Sequence, residues 1–208
     1  MIKKIDIATW ERKEIFEFFT GFSDPYFGLT APVDVTKAMK HAKAKGKSIF
    51  ALYLHACMKA INSIENFKYR VIDGEVHVFE TINASTTILR ENKTFGFSFI
   101  HFDSEINVFK KNIDAEKERI QNSTNLFPPV NSLDCVYCSA IPWVNFTGHK
   151  EPVLGKEMET VPKLAYSKIT EENGKYSMTV SLDVNHALID GYHASLFFTR
   201  FQEFLDEF

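Results

Sequence analysis

One histidine near the carboxyl end has the surroundings that a general base requires. His186 lies in the segment 185–193, which reads NHALIDGYH, between a predicted strand and a predicted final helix. An imidazole can remove a proton from a weak nucleophile near neutral pH. A hydroxyl attacks a thioester poorly on its own, so a nearby imidazole supplies the activation that this reaction needs. Asp190 is placed to fix the turn, and Gly191 allows backbone angles that other residues avoid.

The same segment also has a purely structural interpretation. The chain contains seven histidines. With Asp and Gly each at about 6–7% of residues, a histidine followed by Asp at +4 and Gly at +5 arises by chance in roughly a few per cent of such chains. On this motif alone, a buried histidine with satisfied hydrogen bonds therefore remains an alternative to a catalytic base.

Alternating short strands and helices are predicted to position this segment. The apolar spacing, caps and turn residues predict helices at 11–20, 36–45, 49–64 and 192–207, and strands at 26–35, 69–72, 75–79, 86–89, 94–102, 135–140, 164–169 and 176–184. The pairs Asp73-Gly74 and Asn173-Gly174 predict two hairpin turns. We expect an α/β fold of the two-layer α+β sandwich type, a mixed sheet flanked by helices, in a single domain spanning 1–208.

Composition excludes several classes of partner. The formal charge of −3 gives no basic excess to neutralise nucleic acid or an anionic membrane, and no secretory or membrane-spanning segment is visible. We therefore expect a cytoplasmic protein. The 20 phenylalanines against two tryptophans suggest rings that wall an apolar pocket or a subunit interface as well as filling a core.

The three cysteines do not indicate a metal or disulfide site. Cys57, Cys135 and Cys138 form no disulfide framework, and a chain of this size does not need one. Cys135 and Cys138 have the spacing of a zinc half-site or redox pair, but residues three apart in a strand point to opposite faces. With no second half-site, core packing is the prediction, and we expect no metal.

Short sequence blocks recur in a fixed order along nearly the whole chain. They are IDIATWERKE at 5–14, VDVT at 33–36, DGE at 73–75, TF at 94–95, LFP at 126–128, SAIPWVNF at 139–146, and His186 with DGYH at 190–193. In this order and spacing they resemble the chloramphenicol acetyltransferase family, whose catalytic motif is His-x-x-x-Asp-Gly-(Phe/Tyr)-His.

The resemblance implies a mechanism and assigns residues to it. His186 would remove the proton from an acceptor hydroxyl, which attacks acetyl-CoA directly without an acyl-enzyme. Ser139 would bond to the developing oxyanion, an interaction commonly worth a few kcal/mol. Asp190 would pair with Arg12 and hold the turn structurally. Acetyl-CoA is then a co-substrate, and no permanently bound cofactor is expected.

The resemblance also implies the fold of coenzyme-A-dependent acyltransferases, assembled as a homotrimer with active sites at subunit interfaces. Trp143 and Lys168 correspond to coenzyme A contacts. The positions that correspond to the acceptor pocket are Phe19, Phe27, Phe95, Phe97, Phe127, Tyr137 and Ala165. Phe19, Tyr137 and Ala165 replace a family tyrosine, asparagine and threonine, which predicts a less polar pocket than is usual in the family.

Several functions remain open at this point. The first is acetylation of chloramphenicol, which would inactivate the antibiotic. The second keeps the chemistry with another small hydroxylated acceptor, as the altered pocket positions suggest. The third is a dihydrolipoamide acyltransferase core, although the lipoyl and linker segments of those enzymes are absent from the sequence. The fourth is a non-catalytic trimeric binding protein, against which the presence of both His186 and Ser139 argues.

Overall fold

The computed structural model describes residues 2–153 and 159–208. Its strands and helices, in chain order, are β1 (Ile2–Lys4), α1 (Lys13–Thr20), β2 (Tyr26–Asp34), α2 (Thr36–Lys45), α3 (Ile49–Asn62), β3 (Tyr69–Ile72), β4 (Glu75–Phe79), β5 (Asn83–Leu89), β6 (Phe95–Phe97), α4 (Ile106–Gln121), β7 (Cys135–Ile141), β8 (Lys163–Ser167), β9 (Thr170–Glu172), β10 (Lys175–Asn185) and α5 (Gly191–Leu205). A short 3-10 helix, Glu65–Lys68, precedes β3.

The main sheet is mixed. Its strand order is β2-β10-β8-β7-β5-β6, with β9 also beside β10. Strand β7 runs parallel to both β5 and β8, while the remaining pairs are antiparallel. Strands β1, β4 and β3 form a separate small sheet.

The helices pack on one face of the main sheet and form the core with it. From β10, Val180, Leu182 and Val184 are buried in the same apolar cluster as Phe197 and Phe201 of α5. Helix α3 lies within this layer, and most of its side chains are buried. The opposite face, which we call the outer face, carries the alternate residues of each strand. The chain therefore forms the two-layer α/β sandwich that the sequence predicts.

Small and polar side chains form a row across the outer face. Ser139 of β7 pairs with Ala165 of β8, Ala165 pairs with Ser181 of β10, and Ser181 pairs with Thr30 of β2. Residues paired in this way project from the same face of a sheet. A chain segment after β7 covers part of this face, where the Lys168 N–H donates to the carbonyl of Val144 at 2.9 Å.

Local turn and cap predictions are confirmed at particular residues. Gly46 ends α2 with φ of 61°, the left-handed geometry expected there. The Ser48 hydroxyl accepts a hydrogen bond from the amide of Ala51 and caps α3. Asp73 and Gly74 both have positive φ, as the tight turn between β3 and β4 requires.

Two predicted strands are corrected, and one helix was missed. The strand expected at 94–102 is shorter, Phe95–Phe97. The strand expected at 164–169 ends at Ser167, and the partner of β10 across the Asn173-Gly174 turn is the separate strand β9. Helix α4 was not predicted, although Phe109, Ile113 and Ile120 have helical spacing and are buried. No helix in the described ranges is long and apolar enough to cross a membrane.

Candidate active site

His186 is the first residue after β10, and two phenylalanine rings hold its imidazole. Its amide donates to the carbonyl of Pro25 at 2.9 Å, which ties the turn to the start of β2. The imidazole stacks on Phe19 of α1, with ring centroids 3.9 Å apart and planes within 6° of parallel. The Phe27 ring lies 4.6 Å away on another side. These contacts fix the orientation of the half-buried imidazole.

The two ring nitrogens of His186 have different environments. Nδ1 is buried and has no hydrogen-bond partner among the described residues. Nε2 is therefore the nitrogen that can meet a proton donor outside the chain. An imidazole held in one orientation with one nitrogen free is the arrangement that a general base requires.

Asp190 anchors the turn that carries His186. Its carboxylate caps α5 by accepting from the amides of Tyr192 and His193, and it pairs with Arg12 through an Nη1–Oδ2 distance of 2.8 Å. Arg12 is buried, with 7% of its surface exposed. Burial acts to raise the pKa of Asp190, but the hydrogen bond from Arg12 and the charge of His193 outweigh it and lower this pKa. The predicted pair thus joins the two ends of the chain beneath the turn.

Replacing Asp190 by asparagine is expected to lower the free energy of unfolding by about 2–4 kcal/mol, because it leaves the buried Arg12 charge unpaired. Asparagine still caps a helix, so the variant isolates the ion pair, whereas alanine should cost about 1 kcal/mol more through loss of the cap. Urea unfolding at pH 7 measures both. An Asp190→Asn protein as stable as the wild type would show that the pair contributes nothing.

The same pair gives a pH dependence of defined sign. The pKa of Asp190 is lowered in the folded chain. The stabilisation that its pair with Arg12 gives is therefore complete at pH values above the ordinary pKa of 3.8, and it is lost as the pH falls through the pKa of the folded chain. The stability difference between wild type and Asp190→Asn should therefore narrow only in strongly acidic solution.

Ser139 lies on the outer face, away from His186. It is half-buried, and its hydroxyl forms no hydrogen bond within the described residues. The row of paired residues places Ser139 two strands from Ser181, and His186 lies five residues beyond Ser181. At about 3.3 Å per residue and about 4.8 Å per strand, more than about 15 Å separates Ser139 from His186. The two predicted catalytic side chains do not meet within one chain.

The predicted acceptor residues fall into three groups. Phe19 and Phe27 surround His186, and we call these three residues the histidine cluster. Tyr137, Ser139 and Ala165 are neighbours on the outer face and form the serine cluster. The third group comprises the edge rings Phe95, Phe97 and Phe127, whose consecutive centroids lie 5.5 Å apart.

These groups are distributed across the whole width of the sheet. Phe27 lies on β2 at one edge, and Phe97 lies on β6 at the other. Five strand spacings of about 4.8 Å separate these edges, or about 24 Å. The predicted pocket residues therefore do not enclose a single cavity within one chain.

The two predicted coenzyme A contacts lie near each other, beyond the end of β7. Trp143 is 67% exposed, and Lys168 is also exposed. The backbone hydrogen bond from Lys168 to Val144, the residue after Trp143, brings the two segments together. Ser139 lies four residues before Trp143 on the same strand and its extension, so this corner is adjacent to the serine cluster.

A group of charged residues on the outer face was not predicted from the sequence. Lys163 is buried at 4% exposure, and its Nζ lies 2.9 Å from a carboxylate oxygen of Glu159. Asp183 of β10 pairs with Lys163 across the sheet. The sequence did contain a signal, because Lys163 and Asp183 are each a single charge within an otherwise uncharged stretch of strand. A charged residue in such a strand is almost never fully buried unless it has a partner.

The cysteine prediction agrees with the geometry. Cys135 packs with Phe99 and Val161 on the outer face. The Cys138 sulfur lies 3.8 Å from the Tyr166 hydroxyl on the helix side. Cys135 and Cys138 therefore point to opposite faces, and their side chains do not form a shared ligand site.

Comparison with known proteins gives a consistent result. The family model described as chloramphenicol acetyltransferase matches residues 1–202. A chloramphenicol acetyltransferase from Campylobacter coli is 31% identical over 210 aligned positions, covering 98% of each chain. Chloramphenicol acetyltransferase 3 from Escherichia coli is 28% identical, covering 96% of this chain and 95% of its own.

Solved structures support the same fold. A chloramphenicol acetyltransferase structure superposes with a TM-score of 0.88 at 29% identity, covering 99% of this chain and all of its own. A probable dihydrolipoamide acetyltransferase from Listeria monocytogenes superposes with a TM-score of 0.69 at 13% identity, covering 99% of this chain and 94% of its own. At that identity the second likeness concerns the fold alone.

Proposed function

The chain belongs to the chloramphenicol acetyltransferase family, a family of acyltransferases, and on that premise we propose that it transfers the acetyl group of acetyl-CoA to a hydroxyl of chloramphenicol, inactivating the antibiotic. The observation that carries this proposal is the His186 imidazole, held between Phe19 and Phe27 with Nε2 free to face a substrate. A histidine serving only the core would have both nitrogens enclosed or bonded.

The reaction follows from placing these groups around a thioester and an alcohol. Nε2 of His186 takes the hydroxyl proton as the alcohol oxygen forms a bond to the thioester carbonyl carbon. The carbonyl π electrons move onto its oxygen, which accepts a hydrogen bond from the Ser139 hydroxyl. When the tetrahedral intermediate collapses, the carbon–sulfur bond breaks, and the thiolate takes the proton from His186. The products are an acetyl ester and free coenzyme A.

We propose that each site is shared between two copies of the chain. Within one chain, His186 and Ser139 lie too far apart to act on one carbonyl. Exposed rings lie beside the histidine cluster and at the far edge of the sheet, with Phe18 62% exposed in the first place and Phe127 57% exposed in the second. Burying such surfaces against another copy would join the histidine cluster of one protomer to the serine cluster of the next. A cyclic homotrimer satisfies this head-to-tail contact.

Acetyl-CoA is proposed to enter at the corner formed by Trp143 and Lys168. Trp143 offers an exposed aromatic surface, and Lys168 offers a charge for a phosphate or polar group. This corner follows the strand that carries Ser139, so an arm lying along it would deliver the thioester to the serine cluster. We further propose that 1–208 acts as one catalytic domain in the cytoplasm, where its three free cysteines stay reduced.

A second candidate keeps this chemistry with another acceptor. The residues Phe19, Tyr137 and Ala165 depart from the family pattern, and two of them lie in the serine cluster, where an acceptor would bind. An assay of free thiol release from acetyl-CoA tests both candidates. Release with chloramphenicol supports the first, and release only with other alcohols supports the second. Absence of release with every alcohol would contradict both.

Ser139→Ala is expected to lower kcat by about 10²–10³-fold, with little change in KM, because the hydroxyl acts on charge that develops in the transition state. Ser177→Ala is a matched control, since Ser177 is an exposed serine on β10. Steady-state kinetics of both variants measures the effect. A Ser139→Ala enzyme with unchanged kcat would remove Ser139 from the mechanism.

A further inference from the structure

A cavity of about 290 Å³ opens on the outer face near the end of β10. Lys163, Asp183 and Gly28 line it and are paired in one row across three strands, with Tyr137 next to Lys163 in the same row. This row is two residues along the strands from the row that contains Ser139 and Ala165. The cavity therefore lies beside the serine cluster along the strands, and Phe27 of the histidine cluster also lines it.

The lining of this cavity is charged, and its carboxylates outnumber its available cations. Asp24, Glu151 and Asp183 line it together with Lys150 and Lys163. Lys163 is already engaged, because its Nζ lies 2.6 Å from the Pro152 carbonyl and 2.9 Å from Glu159. A net negative cavity favours a ligand that carries positive charge.

Asp183 has no cation in direct contact among the described residues. Among the described residues it forms no ion pair, and it accepts a long hydrogen bond of 3.4 Å from the Glu151 amide. Burial raises the pKa of Asp183, because the charged form has lost water without gaining a close cation. A cationic group entering the cavity would supply that missing partner.

The space beside Gly28 keeps the Asp183 carboxylate turned into this cavity. A Cβ at position 28 would lie 2.3 Å from Asp183 Oδ1, so the carboxylate occupies the room that Gly28 leaves open. His149 also lines the cavity, and its Nε2 lies 3.7 Å from a carboxylate oxygen of Glu151. Glu151 therefore has a partner of its own, which leaves Asp183 as a carboxylate that a ligand can pair with.

We propose that this cavity is a subsite of the acceptor pocket and that Asp183 binds an ammonium group on the acceptor, which adds small amino alcohols to the acceptors of the proposed function. The inference rests on the proposed function, which places the hydroxyl of the acceptor near Ser139. Two strand spacings and two residues separate Asp183 from Ser139, or about 12 Å between Cα atoms. That distance suits a molecule with its hydroxyl and ammonium at opposite ends of one ring.

On this proposal the pocket is more polar than the replacements at three positions alone predict. The departures at Phe19, Tyr137 and Ala165 do remove hydroxyl and amide groups. Lys163 and Asp183, however, place charges on the same face of the sheet, next to Tyr137 and Ala165. Under the proposal, these charges supply the polarity that the replaced positions lack.

A matched pair of alcohols tests the proposal. The amine 2-[4-(aminomethyl)phenyl]ethanol and the neutral 2-(4-ethylphenyl)ethanol differ in a terminal ammonium against a methyl group. For the wild-type enzyme, kcat/KM for acetylation of the hydroxyl of the amino alcohol should exceed that for the hydroxyl of the neutral alcohol by about tenfold or more. In Asp183→Asn the ratio should fall to within about threefold of one.

A second variant and a binding measurement complete the test. Gly28→Ala displaces the carboxylate without removing it and should reduce the same ratio. Calorimetric binding of the amine to wild-type enzyme without acetyl-CoA should depend on Asp183 in the same way. A wild-type enzyme that favours the neutral alcohol, or binding of the amine unaffected by Asp183→Asn, would overturn the proposal. If the wild-type enzyme acetylates neither alcohol but still binds the amine in a manner that depends on Asp183, the result would contradict the proposed function and support the subsite.

Discussion

Replacement of His186 by alanine is expected to reduce kcat for acetyl transfer by about 10³-fold or more, because general-base catalysis supplies a factor of about 10²–10⁴. The alcohol would then have to attack the thioester with its proton still attached. Binding of acetyl-CoA, proposed to occur at Trp143 and Lys168, should not change. The loss should therefore appear in kcat rather than in KM for acetyl-CoA.

The variant should still fold and assemble. The His186 ring is half-buried between Phe19 and Phe27, so its removal should cost about 1–2 kcal/mol of packing, well below the effect on rate. His77→Ala provides a control, since His77 lies on β4 in the separate small sheet. Kinetics, thermal unfolding and sedimentation measure the three consequences. Turnover near the wild-type rate in His186→Ala would show that another group acts as the base.

Much of the fold was predictable because its signals are local. Gly46, Ser48 and the Asp73-Gly74 pair each specify a cap or turn within a few residues, and each has the predicted geometry. Helix α4 also had a local signal, since Phe109, Ile113 and Ile120 recur at helical spacing. Its many charged residues masked that pattern, although a solvated helix face carries such charges.

The site was predictable only in part. The turn at His186 combines a base with a capping aspartate within one short segment, so its residues could be read directly. The pairing of Asp190 with Arg12 spans 178 positions and followed from the resemblance alone. The positions of Ser139 and the pocket rings relative to His186 depend on strand order and register, which local patterns do not specify.

The charged cavity illustrates the same limit. Lys163 and Asp183 belong to different strands, and only their pairing places them side by side. Glu159 reaches Lys163 from a segment outside the sheet. The residues at positions 19, 137 and 165 could be recognised in the sequence as departures from the family pattern. The charged residues of the cavity, Lys163 and Asp183, lie at other positions. The polarity of a pocket therefore has to be judged from its assembled walls.

The second large effect concerns the division of the site between copies. If His186 and Ser139 act in one site from different protomers, each single variant is inactive for a different reason. In a mixed ring, a protomer carrying Ser139→Ala still has its histidine, and a neighbour carrying His186→Ala still has its serine. Random assembly from equal amounts places both intact residues together in about one quarter of the sites, whatever the size of the ring.

The complementation experiment measures this directly. His186→Ala and Ser139→Ala chains with different tags are co-expressed, and the doubly tagged oligomers are purified beside each variant alone. The proposal predicts acetyl transfer in the mixture at about a quarter or more of the wild-type rate, against about 1% or less for either parent. A mixture no more active than the average of its parents, or a wild-type enzyme fully active as a monomer, would contradict a site built from His186 of one protomer and Ser139 of another.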